Sequence, residues 1–127
     1  MRRRTFIAAA PVLLAAACTS APPAPPPIAV FFTADSATLE QPAQDLVVAA
    51  ARTANAATGP VYVVGYAGPA GGVAYNVALS QARAQHVADL LIRNGVARDR
   101  VSIVPRGPVP FEAIATESRR VEIRIGA

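Results

Sequence analysis

Five of the nine residues from Thr19 to Pro27 are proline. Proline has no backbone N–H and a fixed φ, so this stretch can enter neither a helix nor the inside of a sheet. It favours an extended polyproline conformation, about 3.1 Å per residue and so roughly 28 Å from end to end. The tract divides the 127-residue chain into a short leader and a remainder with room for one domain.

The leader has its own logic. Arg2, Arg3 and Arg4 precede an apolar run of 12 residues from Phe6 to Ala17, broken only by Pro11. A membrane-spanning helix needs roughly 20 apolar residues, so this run is too short to be one. Ala15, Ala16 and Ala17 then lead into Cys18, the shape of a cleavable secretory signal. Leu14-Ala15-Ala16-Ala17-Cys18 resembles a lipobox, which implies cleavage before Cys18 and acylation of its thiol. Arg3-Arg4-Thr5-Phe6-Ile7 resembles a twin-arginine export signal, and general secretion is the other open route. Residue 19 is Thr and not Asp, which by resemblance to Gram-negative lipoproteins implies sorting to the outer membrane. The expected division is 1–17 signal peptide, 18–27 lipidated cysteine and tether, and 28–127 folded domain.

Charge and composition narrow the function. All twelve basic side chains are arginine, and three lie in the leader, leaving nine against eight acids. A nearly neutral mature chain lacks the dense basic surface that phosphate backbones require, so nucleic acid is not an expected partner. The single cysteine has no intramolecular partner, so there is no disulfide framework. One histidine, one cysteine and no clustered acids cannot assemble a nucleophile triad or a zinc site. The expectation is a binding protein without cofactor or metal, not an enzyme.

After the prolines, Ile28 to Phe32 reads as a short strand. Thr33 to Glu40 is polar and turn-like, with Asp35 and Ser36 suited to local side-chain caps. Pro42 suits a first helical turn, and Ala43, Leu46, Val47, Ala50 and Ala54 continue at helical spacing toward a stop near Gly59-Pro60. Val61 to Val64 is almost wholly apolar, as a central strand would be, and a glycine-rich loop runs from Gly65 to Gly72. In the second helix Val77, Ser80, Ala84, Val87, Ala88 and Leu91 share a face opposite Gln81, Gln85 and Asp89, with Asn94-Gly95 as the stop. Val101 to Val104 is a third strand. Val121, Ile123 and Ile125 alternate with Arg120, Glu122 and Arg124, as in a strand with one wet face. The order β-α-β-α-β-β predicts an α/β two-layer sandwich.

Three motifs in this order resemble the OmpA C-terminal family, the peptidoglycan-associated lipoprotein type in particular. They are Asp35-Ser36-Ala37-Thr38-Leu39, the run Tyr75 to Ala84 with Val87, Leu91 and Gly95-Val96, and Ser118-Arg119-Arg120-Val121-Glu122-Ile123. The resemblance covers roughly residues 28–126 and makes 28–127 an OmpA-like domain. It implies an outer-membrane lipoprotein on the periplasmic face that binds peptidoglycan noncovalently through the diaminopimelate of the stem peptide. Envelope proteins are the other implied partners.

The family grips that ligand with an Asp after the second strand and an Arg fifteen residues later on the next helix. A zwitterionic end requires a carboxylate for its ammonium and a guanidinium for its carboxylate. Arg83 stands at the Arg position, Gly68 at the Asp position and Tyr66 at a family His position. The expected peptidoglycan contacts are Arg83, Asn76, Tyr66, Gly68, Leu79 and Arg119, with Cys18 as the lipidation site. The chain is therefore identified as a divergent member with weakened wall binding. The alternative is an OmpA-like protein-interaction module that no longer binds the wall.

Overall fold

The computed structural model describes residues 25–68, 71–108 and 118–126. The leader, Cys18 and Thr19 to Ala24 lie outside the described residues, as do Pro69, Ala70 and the segment 109–117. Six principal elements follow in order: β1 Ile28–Phe31, α1 Gln41–Asn55, β2 Val61–Ala67, α2 Val73–Arg93, β3 Val101–Pro108 and β4 Arg120–Ile125. This is the predicted β-α-β-α-β-β order, with a short 3₁₀ turn at Arg98–Arg100 before β3.

α1 has Pro in its first turn, where the missing N–H has no helical partner in any case. Val47, Ala50, Ala51 and Ala54 form its buried stripe. It stops at Asn55, earlier than Gly59-Pro60, and Arg100 bonds to the chain at this end. The Arg100 guanidinium donates to Gly59 O at 2.8 Å, in the connection beyond the helix, and to Ala54 O at 3.0 Å, a last-turn carbonyl that Ala57 N–H also reaches at 3.2 Å.

β2 and β3 both outrun the apolar segments that announced them. β2 continues through Gly65 and Tyr66 because the glycine is a contact point and not a break. A Cβ on Gly65 would lie 2.1 Å from Ser80 O, so only glycine lets α2 approach β2 this closely. β3 accommodates Pro105 because it is an edge strand, where a missing N–H costs no ladder bond. Gly107, at φ +67°, would press a Cβ to 2.8 Å from Val77 Cγ2.

The sheet order is β1-β4-β2-β3. β4 runs antiparallel to β1 on one side and to β2 on the other, and β2 pairs parallel with β3. β1 and β2 therefore point the same way. Ile28 and Val61 start at one end of the sheet; Phe31 and Ala67 finish at the other. Both helices pack on one side, over Val30, Val63, Val121 and Ile123, which confirms the two-layer α/β sandwich. Six of the 18 buried apolar residues among those described are alanine, which lets the layers sit close but limits the apolar area each contributes. Asn76, Ser80 and Arg83, also buried, occupy successive turns of α2 near its N-terminal end. Their burial marks where the core stops being apolar.

Candidate functional site

The ends of β1 and β2 meet the start of α2 around Arg83. None of the Arg83 surface reaches solvent. Its Nε donates to Ser36 O at 2.8 Å, one terminal nitrogen to Tyr66 O at 3.2 Å and the other to Thr33 O at 3.0 Å. The guanidinium carbon also lies 5.4 Å from the centre of the Phe32 ring. One side chain thus ties the turn after β1 to the end of β2. A guanidinium has five N–H donors, so one remains on each terminal nitrogen. Burial, and next the neighbouring Arg119 charge, pull the Arg83 pKa below the ordinary guanidinium value; Tyr75 and Asp35 pull the other way.

The turn that Arg83 holds presents a carboxylate. Asp35 lies between the two anchored carbonyls at φ +52°, a left-handed conformation that Asp tolerates better than most residues. Its Oδ1 accepts from the Tyr75 hydroxyl at 3.1 Å, and this bond is the first cause of a raised Tyr75 pKa. Asp35 and Tyr75 are both exposed.

α2 adds backbone donors. Its hydrogen-bond ladder begins with Asn76 N–H on Gly72 O at 3.0 Å, so the amides of Val73, Ala74 and Tyr75 have no helical acceptor. No side chain caps this end and no acid stands in its first turn. Asn76 turns its amide back to Gly72 O at 3.0 Å. The positive end of a 21-residue helix therefore points out beside Asp35 and Tyr75.

Of the six residues expected from the sequence, Asn76 and Arg83 share the inner face of α2, and Arg119 is close enough to Arg83 to lower its pKa. Gly68 directly follows β2, and Leu79 is half-buried one turn ahead of Arg83. Tyr66 brings its carbonyl to this cluster, but not its ring. The ring lies 4.2 Å from the Arg120 guanidinium carbon, on the side of the sheet away from the helices. Asp35, Tyr75 and Phe32 join the cluster without having been expected there. Asp35 opened a recognisable motif, but sequence spacing could not show that Arg83 reaches back 47 and 50 residues to anchor its turn.

Among the described residues no group of His, Cys, Asp and Glu could hold a metal ion. None of the described helices is long and apolar enough to cross a membrane.

A family model described as the OmpA family matches residues 31–124. Outer membrane protein 40 of Porphyromonas gingivalis is 38% identical over 79 residues, covering 61% of this chain and 21% of that protein. Outer membrane protein A of Escherichia coli O157:H7 is 38% identical over 76 residues, covering 58% of this chain and 22% of that protein. The chain thus spans about a fifth of the length of these relatives. Among solved structures, the peptidoglycan-associated lipoprotein from Burkholderia pseudomallei superposes with a TM-score of 0.69 at 25% identity, covering 76% of this chain and 87% of that one. The C-terminal domain of Helicobacter pylori MotB gives 0.68 at 21% identity over 80% and 84% of the two chains, a likeness of fold.

Proposed function

Because the chain belongs to the OmpA family, we propose that it binds peptidoglycan noncovalently, through stem-peptide diaminopimelate, at the pole formed by Asp35, Tyr75 and the start of α2. It is a binding domain and not an enzyme, as membership implies. In this reading 1–17 is removed on export, Cys18 carries the lipid, 18–27 is the tether, and the domain from residue 28 faces the periplasm from the outer membrane.

The observation that supports it is the pairing of opposite charges at one pole. Asp35 offers an exposed carboxylate to the ligand ammonium. The open amides of Val73 and Ala74, backed by Arg83 and Arg119, favour the ligand carboxylate. Gly68 supplies no second carboxylate, so the grip on the ammonium is weaker than in a member with Asp there. Losing a desolvated charge partner costs about 2–5 kcal/mol, and less where water enters.

One observation favours the other reading, a protein-interaction module. The Arg83 bonds seen here go to chain carbonyls, so the arginine has a structural task whether or not a ligand binds. Co-sedimentation of the mature chain with purified sacculi separates the two. The wall reading expects a pelleted fraction that Asp35→Asn lowers by about tenfold and Arg93→Ala leaves unchanged. A wild-type chain that stays in the supernatant selects the protein-interaction reading.

A further inference from the structure

Tyr75 stands in the first turn of α2 and is 48% exposed, so the core does not explain a large ring there. Contacts on both sides hold it. Its ring lies beside the backbone of Gly71: a Cβ added to that glycine would be 3.2 Å from Tyr75 Cδ1. Its hydroxyl donates to Asp35 Oδ1 at 3.1 Å, 40 residues back along the chain. The side chain therefore spans from the loop before α2 to the turn after β1, and its oxygen sits beside the exposed Asp35 carboxylate.

The hydroxyl is committed as a donor. Its bond to Asp35 is the largest cause of a raised Tyr75 pKa, so the phenol keeps its proton well past neutral pH. A phenol oxygen that donates its proton still has lone pairs to accept with. Among the described residues no donor reaches the Tyr75 oxygen, and no second donor reaches Asp35. Asp35 Oδ2 and Tyr75 Oη are thus neighbouring acceptors, one charged and one neutral, on exposed side chains. The setting makes the second acceptor matter. The open amides of Val73 and Ala74, the helix dipole and the Arg83 charge all favour an anion at this pole and disfavour a cation. An exposed carboxylate alone attracts an ammonium weakly, because water screens the pair. A primary ammonium carries three donors, and directed bonds to two acceptors select it over a neutral amide.

We propose that Tyr75 is the specificity residue for the ligand ammonium. Its hydroxyl fixes the Asp35 carboxylate, and its oxygen accepts a second hydrogen bond from the same ammonium, in place of the carboxylate that Gly68 does not supply. This inference rests on the wall-binding reading and adds to it the group that reads the amine. The ligand class follows: a stem-peptide residue that ends in a free primary amine beside a carboxylate. Acetylation removes the charge of that amine and two of its three protons, so the product cannot serve both acceptors.

The test holds the full chain in neutral detergent and measures fluorescence anisotropy of the stem tripeptide alanyl-γ-glutamyl-diaminopimelate, labelled at its N-terminus. The comparison is the same peptide with the diaminopimelate amine acetylated. The wild-type chain is expected to prefer the free amine by about tenfold. Tyr75→Phe keeps the ring beside Gly71 and removes only the hydroxyl, so it should cut that preference to about threefold while the acetylated peptide binds as before. Asp35→Asn should abolish the preference. The Tyr75 side chain is exposed, and an unchanged melting curve verifies folding of the variant. Full preference in Tyr75→Phe, or an equal loss for both peptides, would overturn the proposal and leave the wall-binding reading standing. A wild-type chain that binds neither peptide would instead defeat that reading, and the proposal with it.

Discussion

Replacing Arg83 by Ala leaves Thr33 O, Ser36 O and Tyr66 O without the donor that now satisfies all three. A hydrogen bond from a charged group contributes about 1.5–3 kcal/mol, so the three have an upper bound near 5–9 kcal/mol. They share one side chain and are not additive, and water can enter the vacated space to meet some of the carbonyls. Those terms bring the expected loss to about 3–5 kcal/mol, a large share of the roughly 5–15 kcal/mol that holds a domain together. At about 4–8 °C per kcal/mol for a domain of this size, the melting temperature should fall by at least about 12 °C. Urea unfolding followed by far-ultraviolet circular dichroism measures the difference, with exposed Arg93→Ala expected within about 0.5 kcal/mol of wild type. Arg83→Lys should fall between, since one ammonium keeps the charge but cannot span three separated carbonyls. A loss below about 1 kcal/mol in Arg83→Ala would refute the idea that this side chain organises the turn.

Cys18→Ser should leave uncleaved precursor and remove the protein from the outer-membrane fraction; normal processing and fractionation would defeat the lipoprotein reading. Gly68→Asp should raise affinity for diaminopimelate-containing muropeptides by restoring a carboxylate after β2, and a folded variant without gain would show that the pole has diverged beyond repair. Burial pushes the Glu122 pKa up, but hydrogen bonds from Arg124 and Arg120 outweigh it and hold the folded-state value below the ordinary one. Its stabilisation is therefore complete above roughly pH 4.3 and lost as pH falls through the lower folded value. Urea melts across that range should show a shallower acid loss in Glu122→Gln, and an identical pH profile would remove the Arg120–Glu122–Arg124 cluster from the stability of β4.

The alternation at Arg120 to Ile125 and the apolar stripe of the second helix were legible because each buries one face against a single partner layer. Boundaries were less so. Gly65, Pro105 and Gly107 read locally as breaks, and only the approach of α2 and the edge position of β3 explain why the strands pass through them. Val77 illustrates the same limit. Helical spacing put it in the core, yet it is 39% exposed and packs beside Gly107, while Asn76 next to it is buried. Near its start α2 faces a polar cluster, not the apolar core, so hydrophobic periodicity points to the wrong side there. Arg83 was found by its place in a family motif. Its occupation by three carbonyls, and the ring of Tyr66 turning to the opposite side, depend on chain segments far apart in sequence.

The shared direction of β1 and β2 bears on how the domain would respond to force. The chain enters β1 at Ile28, beside Ile123, and reaches Asp35 within eight residues, past the Arg120 end of β4. If the tether is fixed to a membrane and Asp35 to the wall, a pull between them runs down this one extended segment through covalent backbone. The β1–β4 hydrogen bonds lie across that line and keep the segment in place without being asked to separate in sequence. The Arg83 anchors at Thr33 and Ser36 straddle Asp35, so strain that reaches the turn passes sideways into α2. Tension between two cell-envelope layers would then leave most of the apolar core unloaded.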